Sequence, residues 1–318
     1  MNNDSPIPSG IRWLALSVAV LTWLLILVGG IVHGTGSSLA CPDWPTCYGT
    51  FFPQMTGGIF FEHSHRIVAA LTGFLTVILC VLLLVKGDPT LKKAGVAAVL
   101  LVIFQGVLGG ITVIYRLPTA VSTAHLATSM LFLCLMVAIA FSTFRSHLQK
   151  SPGDLAGLRP WLVPALILVY LQIVLGGLVR HTGAGLACMD IPLCRGSFWP
   201  EGAPPILQAH MLHRIVGMLV ALTVYAVSWR VFRSASGVFA LRLLAALAPL
   251  LVTLQIALGL WSVHSALGLF PVTAHLGVGA LLLVSLWLMN LLVFRAARLQ
   301  HHSVPLGSLP EGLGARGA

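Results

Sequence analysis

The chain is expected to be an all-α membrane protein, with eight transmembrane helices forming two tandem four-helix bundles related by pseudo-two-fold symmetry. Three observations predict this. Of the 318 residues, 58% are hydrophobic and only 8% are charged, whereas a soluble domain carries about 25% charged residues. So few polar groups cannot cover a water-facing surface, which makes lipid the solvent. Eight apolar runs are each long enough to span a bilayer, at roughly 20 residues apiece. Finally, the chain repeats itself at an offset that drifts only from 147 to 150 residues.

The elements follow in order. Ser5 to Gly10 is polar and Pro-rich, and residues 1–12 read as a cytoplasmic N-terminus. The first run, 13–32, lacks a small-residue cleavage site and reads as a membrane helix, not a removed signal. The runs 62–85, 94–114 and 119–141 complete a first bundle over 13–143. A linker at 144–160 precedes 161–179, 208–232, 241–263 and 271–294, the second bundle over 161–294, and residues 295–318 read as a disordered cytoplasmic tail. The repeat pairs Gly30-Ile31-Val32 with Gly177-Leu178-Val179, His65-Arg66-Ile67-Val68 with His213-Arg214-Ile215-Val216, and Thr123-Ala124-His125-Leu126 with Thr273-Ala274-His275-Leu276. Each repeat holds an even number of helices, so both insert the same way round and the symmetry axis runs along the membrane normal. Gly29-Gly30, Gly109-Gly110 and Gly176-Gly177 suit close helix approach.

The net charge of +10 comes from Lys and Arg dispersed between apolar runs, which argues for positive-inside topology and against nucleic acid. With the N-terminus in the cytoplasm, 13 Lys and Arg fall inside and 5 outside. Both termini are then cytoplasmic in a multi-pass cell-membrane protein. The pairs Cys41/Cys47 and Cys188/Cys194 fall in outer loops, where an oxidising compartment permits disulfides Cys41–Cys47 and Cys188–Cys194.

Ionisable side chains inside membrane spans are costly and mark function. His65 and His125 enter from the outer side at similar depth in the first bundle, as do His213 and His275 in the second. Facing histidines can hold a metal between helices. Two are too few for zinc, which wants four ligands, but suffice as the axial ligands of a heme. Arg66 and Arg214, each following a histidine, could pair with heme propionates. Glu62 is the one acidic residue in any span and sits on the face of His65; its counterpart is His210. Burial is expected to favour a neutral Glu62 that donates or accepts a proton. His33, His63, His181 and His264 are not expected to be ligands, nor are His147, His301 and His302.

Glu62-x-x-His65-Arg66, His125, His213-Arg214 and His275, with Thr35-Gly36 ahead of Cys41-Pro42-Asp43-Trp44-Pro45 and Cys47, together resemble the heme A synthase family over nearly the whole chain. The resemblance implies a membrane oxidoreductase that converts heme O to heme A, oxidising a porphyrin methyl to a formyl through two successive hydroxylations and loss of water. It implies that His213 and His275 ligate a resident heme b, that His65 and His125 with Arg66 line the substrate-heme site, that Arg214 serves the cofactor, and that Glu62 is catalytic. It also implies a heme O synthase and an electron donor of unidentified nature as partners, besides lipid, and leaves a homo-oligomer open. His33 stands where members often carry Arg, and Ser38 where a Gly is expected. The competing reading is a diheme b-type cytochrome that only transfers electrons. Glu62 beside one histidine pair favours chemistry. A transporter would instead place broken helices near the midplane.

Overall fold

The computed structural model describes residues 7–144, 155–235 and 237–301. Eight long helices form in chain order: α1 (Ser9–Gly34), α2 (Gly57–Lys86), α3 (Pro89–Ile114), α4 (Thr119–Thr143), α5 (Arg159–His181), α6 (Pro205–Ser234), α7 (Phe239–His264) and α8 (Leu269–His301). Each corresponds to one apolar run. All eight are long and apolar enough to cross a membrane, and the chain is a multi-pass membrane protein. Of the expected linker, residues 145–154 lie outside the described residues, as do His147, His302 and the tail from 302 onward. Where described, the tail differs from expectation: α8 continues through 295–301.

Helix is the natural state of such segments, because lipid offers the backbone no hydrogen-bond partners. Several hydroxyls within the helices are satisfied by their own helix: Thr22 donates to the Val18 carbonyl, Thr72 to Val68 and Thr76 to Thr72, each at 2.7 Å. Helix α3 starts on an Asp88 cap, whose carboxylate accepts from the Thr90 and Leu91 amides ahead of which Pro89 fills the first turn. Apolar side chains such as Phe74, Leu100, Leu222 and Trp229 point outward, as helices facing lipid require.

Helix α1 packs on α2, α2 on α3, α3 on α4, and α4 back on α1; α5 to α8 close a second ring in the same way. Between the rings, α1 meets α8, α4 meets α5, and α4 meets α8. These pairings exchange into one another under the repeat offset, consistent with the expected pseudo-two-fold axis. Hydrogen bonds across the seam match too: Trp23 Nε1 donates to the Gly277 carbonyl (3.0 Å) and Tyr170 Oη to the Ala127 carbonyl (3.3 Å).

The second glycine of each Gly-Gly pair makes this seam. A Cβ at Gly30 would lie 3.0 Å from Leu276 Cδ2, and one at Gly177 only 2.5 Å from Leu126 Cδ2. Each leucine directly follows a histidine of the other ring. Gly177→Leu should therefore overpack the seam at a cost of about 1–3 kcal/mol, seen as a lowered melting temperature in detergent. Gly106→Leu, whose Cβ meets nothing within 4 Å, should melt close to the parent.

Candidate functional site

The expected histidines come together in the expected pairs. His213 of α6 and His275 of α8 have ring centroids 6.4 Å apart, their planes at 76°. Two imidazoles on opposite sides of one metal ion, with bonds of about 2.0–2.1 Å to nitrogen, have centroids roughly 6 Å apart, so the spacing fits bis-imidazole ligation. His65 of α2 and His125 of α4 lie within electrostatic reach of one another. All four rings are half-buried. His65 and His213 lie eight residues inside their helix starts and His125 and His275 six, about 12 and 9 Å at 1.5 Å per residue.

Each ring lies against a glycine of the helix next door. A Cβ would meet His65 at 3.3 Å from Gly29, His125 at 3.5 Å from Gly109, His213 at 2.9 Å from Gly176 and His275 at 3.3 Å from Gly259. In sequence Gly29, Gly109 and Gly176 suggested close helix packing; in the fold they and Gly259 make room for imidazoles.

The two pairs are held differently. His275 Nδ1 donates to the Gln255 carbonyl at 3.1 Å, which leaves its Nε2 lone pair for a metal. The His213 Nδ1 meets the Gln172 side-chain amide at 3.1 Å. In the first pair, His125 Nδ1 is buried and faces the Gln105 backbone outside hydrogen-bond geometry, and the position matching Gln172 is Leu25. Gln105 and Gln255 do share a task, donating to the backbone carbonyls of His125 (3.2 Å) and His275 (2.7 Å). Gln172 is the residue that sequence reading missed, since a lone glutamine in an apolar run carries no periodic signal.

Above the pairs sit two disulfide loops, Cys41–Cys47 and Cys188–Cys194. Each is closed by an antiparallel bridge, Cys47 with Thr50 and Cys194 with Ser197. Asp43 organises the first loop by accepting from the Thr46 hydroxyl and from the amides of Tyr48 (2.6 Å) and Gly49 (2.9 Å). The Thr46 hydrogen bond, with help from these amides, lowers its pKa from 3.8 to about 2. Asp190 is likewise lowered, chiefly by backbone hydrogen bonds at Arg195 and Gly196.

Loop carbonyls engage Arg66 and Arg214. Arg66 Nη1 donates to Asp43 (2.7 Å) and Thr46 (2.5 Å), and Nη2 to Cys41 (3.2 Å). Arg214 repeats this on Asp190 (2.7 Å), Leu193 (3.0 Å) and Cys188. Glu62 is partnered at both carboxylate oxygens. Its Oε1 accepts from Arg66 Nη2 at 2.6 Å and its Oε2 from the Cys41 amide at 2.8 Å. His210 fills the same slot in the second ring, its Nδ1 accepting from the Cys188 amide at 3.4 Å. His210 is thus committed to the loop, and His213 is the ring that faces His275. Glu62 and His210 are each 4% exposed.

The wider comparisons agree with this geometry. The family model described as "Cytochrome oxidase assembly protein" matches residues 12–58 and 54–287. The heme A synthase of Halalkalibacterium halodurans is 30% identical over 83% of this chain and 90% of its own. The chain belongs to the heme A synthase family. The heme A synthases of Shewanella oneidensis and Shouchella clausii are each 29% identical, over 88% and 92% of this chain and 96% and 98% of theirs. Family membership brings heme as the bound group, which the two glycine-cradled histidine pairs fit.

Two outcomes test the loop architecture. Arg66→Ala leaves Glu62 as an unpaired buried carboxylate and should cost about 3–5 kcal/mol, more than Arg214→Ala, whose partner in the slot is His210; paired thermal melts read the difference. On acidification, a lowered carboxylate pKa contributes stability above the unfolded value of 3.8 that is lost as pH falls toward about 2. The first loop should therefore resist phosphine reduction of Cys41–Cys47 above pH 3.8 and open to it on approach to pH 2, whereas Asp43→Asn should open without that pH step.

Proposed function

We propose that the protein converts heme O to heme A within the membrane, with the second helical ring holding a resident heme b and the first receiving the substrate. The observation that carries this reading is the unequal anchoring of two otherwise matched histidine pairs. His275 Nδ1 donates to the Gln255 carbonyl and Gln172 donates to the His213 backbone carbonyl at 2.8 Å beside its ring, contacts that fix both residues for a permanently bound group. The first pair has Leu25 where the second has Gln172, and His125 Nδ1 faces the Gln105 backbone outside hydrogen-bond geometry where His275 bonds Gln255, which suits a heme that enters and leaves. A cytochrome with two equivalent hemes gives no reason for that difference.

When bound between His213 and His275, heme b supplies one-electron redox chemistry to the neighbouring ring. The remaining work falls to the chain. His65 and His125 orient heme O so that one edge methyl lies at the reacting position. Glu62 lies on the substrate side, one helical turn before His65. Its carboxylate oxygens relay the protons that the two hydroxylations and the loss of water exchange at the methyl carbon. Arg66 and the Cys41 amide fix where those oxygens sit. Arg66 and Arg214 serve the hemes through the loops they clamp, keeping water from the two sites. A heme O synthase supplies the substrate, dioxygen serves as oxidant, and a membrane or outer-face reductant supplies two electrons for each hydroxylation, so that with two protons each one gives a hydroxylated carbon and one water.

The orientation puts both termini in the cytoplasm and both disulfide loops outside. Support comes from the basic end of the bundle. Arg159, Arg230, Arg233, Arg242 and Arg295 lie over the rings of Phe294, Trp161, Trp229, Phe232 and Phe141, all at 4.6–5.7 Å. This aromatic and cationic girdle is at the end opposite the disulfides, as positive-inside topology requires.

The test is co-expression with a heme O synthase, followed by extraction and chromatography of hemes. Heme A should accumulate with the parent chain and give way to heme O with Glu62→Ala or His65→Ala. His213→Ala should instead lose the resident heme from the purified protein. Heme O persisting unchanged with folded parent protein would sink the proposal.

A further inference from the structure

The two disulfide loops are built alike, but the residues beneath them are not. Under Cys188–Cys194 lies Met211, 1% exposed and packed with Leu207. The matching position under Cys41–Cys47 is His63, 6% exposed. One ring nitrogen of His63 and the two sulfurs all lie within 4.8 Å of one another.

The protonation of His63 follows from its partner. Its Nε2 is 3.0 Å from the Phe51 carbonyl, and a carbonyl only accepts, so the proton is on Nε2 and Nδ1 carries a bare lone pair. That Nδ1 is buried without a hydrogen-bond partner. A buried, unsatisfied acceptor is destabilising, and the second loop avoids that with the thioether of Met211. A histidine with one nitrogen fixed on a backbone carbonyl and the other bare has the arrangement of a metal ligand.

We propose that Cys41, Cys47 and His63 form a redox-gated site for a thiophilic metal ion, closed while the disulfide stands and opened by its reduction. A dithiol reductant would attack the Sγ–Sγ bond in two exchange steps. The bond breaks, two electrons pass to Cys41 and Cys47, and the reductant leaves as its own disulfide. Metal binding then displaces both thiol protons to solvent and gathers two thiolates and one imidazole nitrogen. That donor set suits Zn(II) with water as a fourth ligand, or Cu(I). Two thiolates also neutralise a divalent charge, which a buried site demands. The site is separate from the histidine pairs and does not rest on their heme chemistry.

The experiment uses the full chain in detergent, reduced with phosphine, desalted without oxygen and titrated with Co(II). One equivalent should bind with a thiolate-to-cobalt charge-transfer band, which ions held at the bis-histidine pairs cannot give. The band should vanish on reoxidation and in Cys41→Ser/Cys47→Ser, persist in Cys188→Ser/Cys194→Ser, and need at least about tenfold more Co(II) in His63→Ala. Should His63→Ala fail to fold, Met211→His in the Cys41→Ser/Cys47→Ser background decides, by gaining the band at the second loop. No band in the reduced parent, equal affinity in His63→Ala, or an equally strong band from the second loop with Met211 in place would overturn the proposal.

Discussion

Four imidazoles lie in a bilayer-spanning bundle because four glycines give them space. At Gly29, Gly109, Gly176 and Gly259 the neighbouring helix presents bare backbone, and a methyl group there would stand 2.9–3.5 Å from a ring atom. Helix spacing, ring orientation and the gap between facing histidines all depend on that missing carbon. The adjacent Gly30 and Gly177 take the leucine that follows each histidine across the seam. One Gly-Gly pair thus sets a ligand of its own ring and docks the other ring, so the two sites cannot be positioned independently.

A second constraint governs the loops. A guanidinium near the end of a membrane helix could snorkel to water, but Arg66 and Arg214 turn to three loop carbonyls each. The carbonyls gain strong donors and the charge gains a shell of oxygens, so each short loop becomes a fixed cap over its histidine pair. The slot beside the clamp holds Glu62 in one ring and His210 in the other, both receiving the amide of the first loop cysteine.

Against this shared frame, the differences between the rings carry the functional meaning. Gln172 fixes the His213 ring where the first ring has Leu25. Glu62 brings a carboxylate where the second ring has an imidazole. His63 underlies a disulfide where the second ring has Met211. Duplicated geometry with unequal polar groups is consistent with the proposed resident heme beside an exchanging one. His33 and His181, set aside in sequence, stack across the seam with centroids 5.4 Å apart, and Thr123 bonds His181 at 3.1 Å; neither joins a histidine pair.

The amino-acid sequence by itself determined the number of helices, the repeat, the two disulfide pairs and the four paired histidines. These are local or periodic properties: run length, spacing, and the cost of an ionisable group in an apolar run. Tertiary structure alone decided where Arg66 and Arg214 point, that Glu62 and His210 share one slot, that glycines cradle the rings, and that Gln172 and His63 matter. The reason is physical. A lipid-facing helix is apolar on nearly every side, so its hydropathy does not record which face meets a neighbour, and hydrogen bonds spanning 20 to 41 residues exist only once the helices are rotated into place.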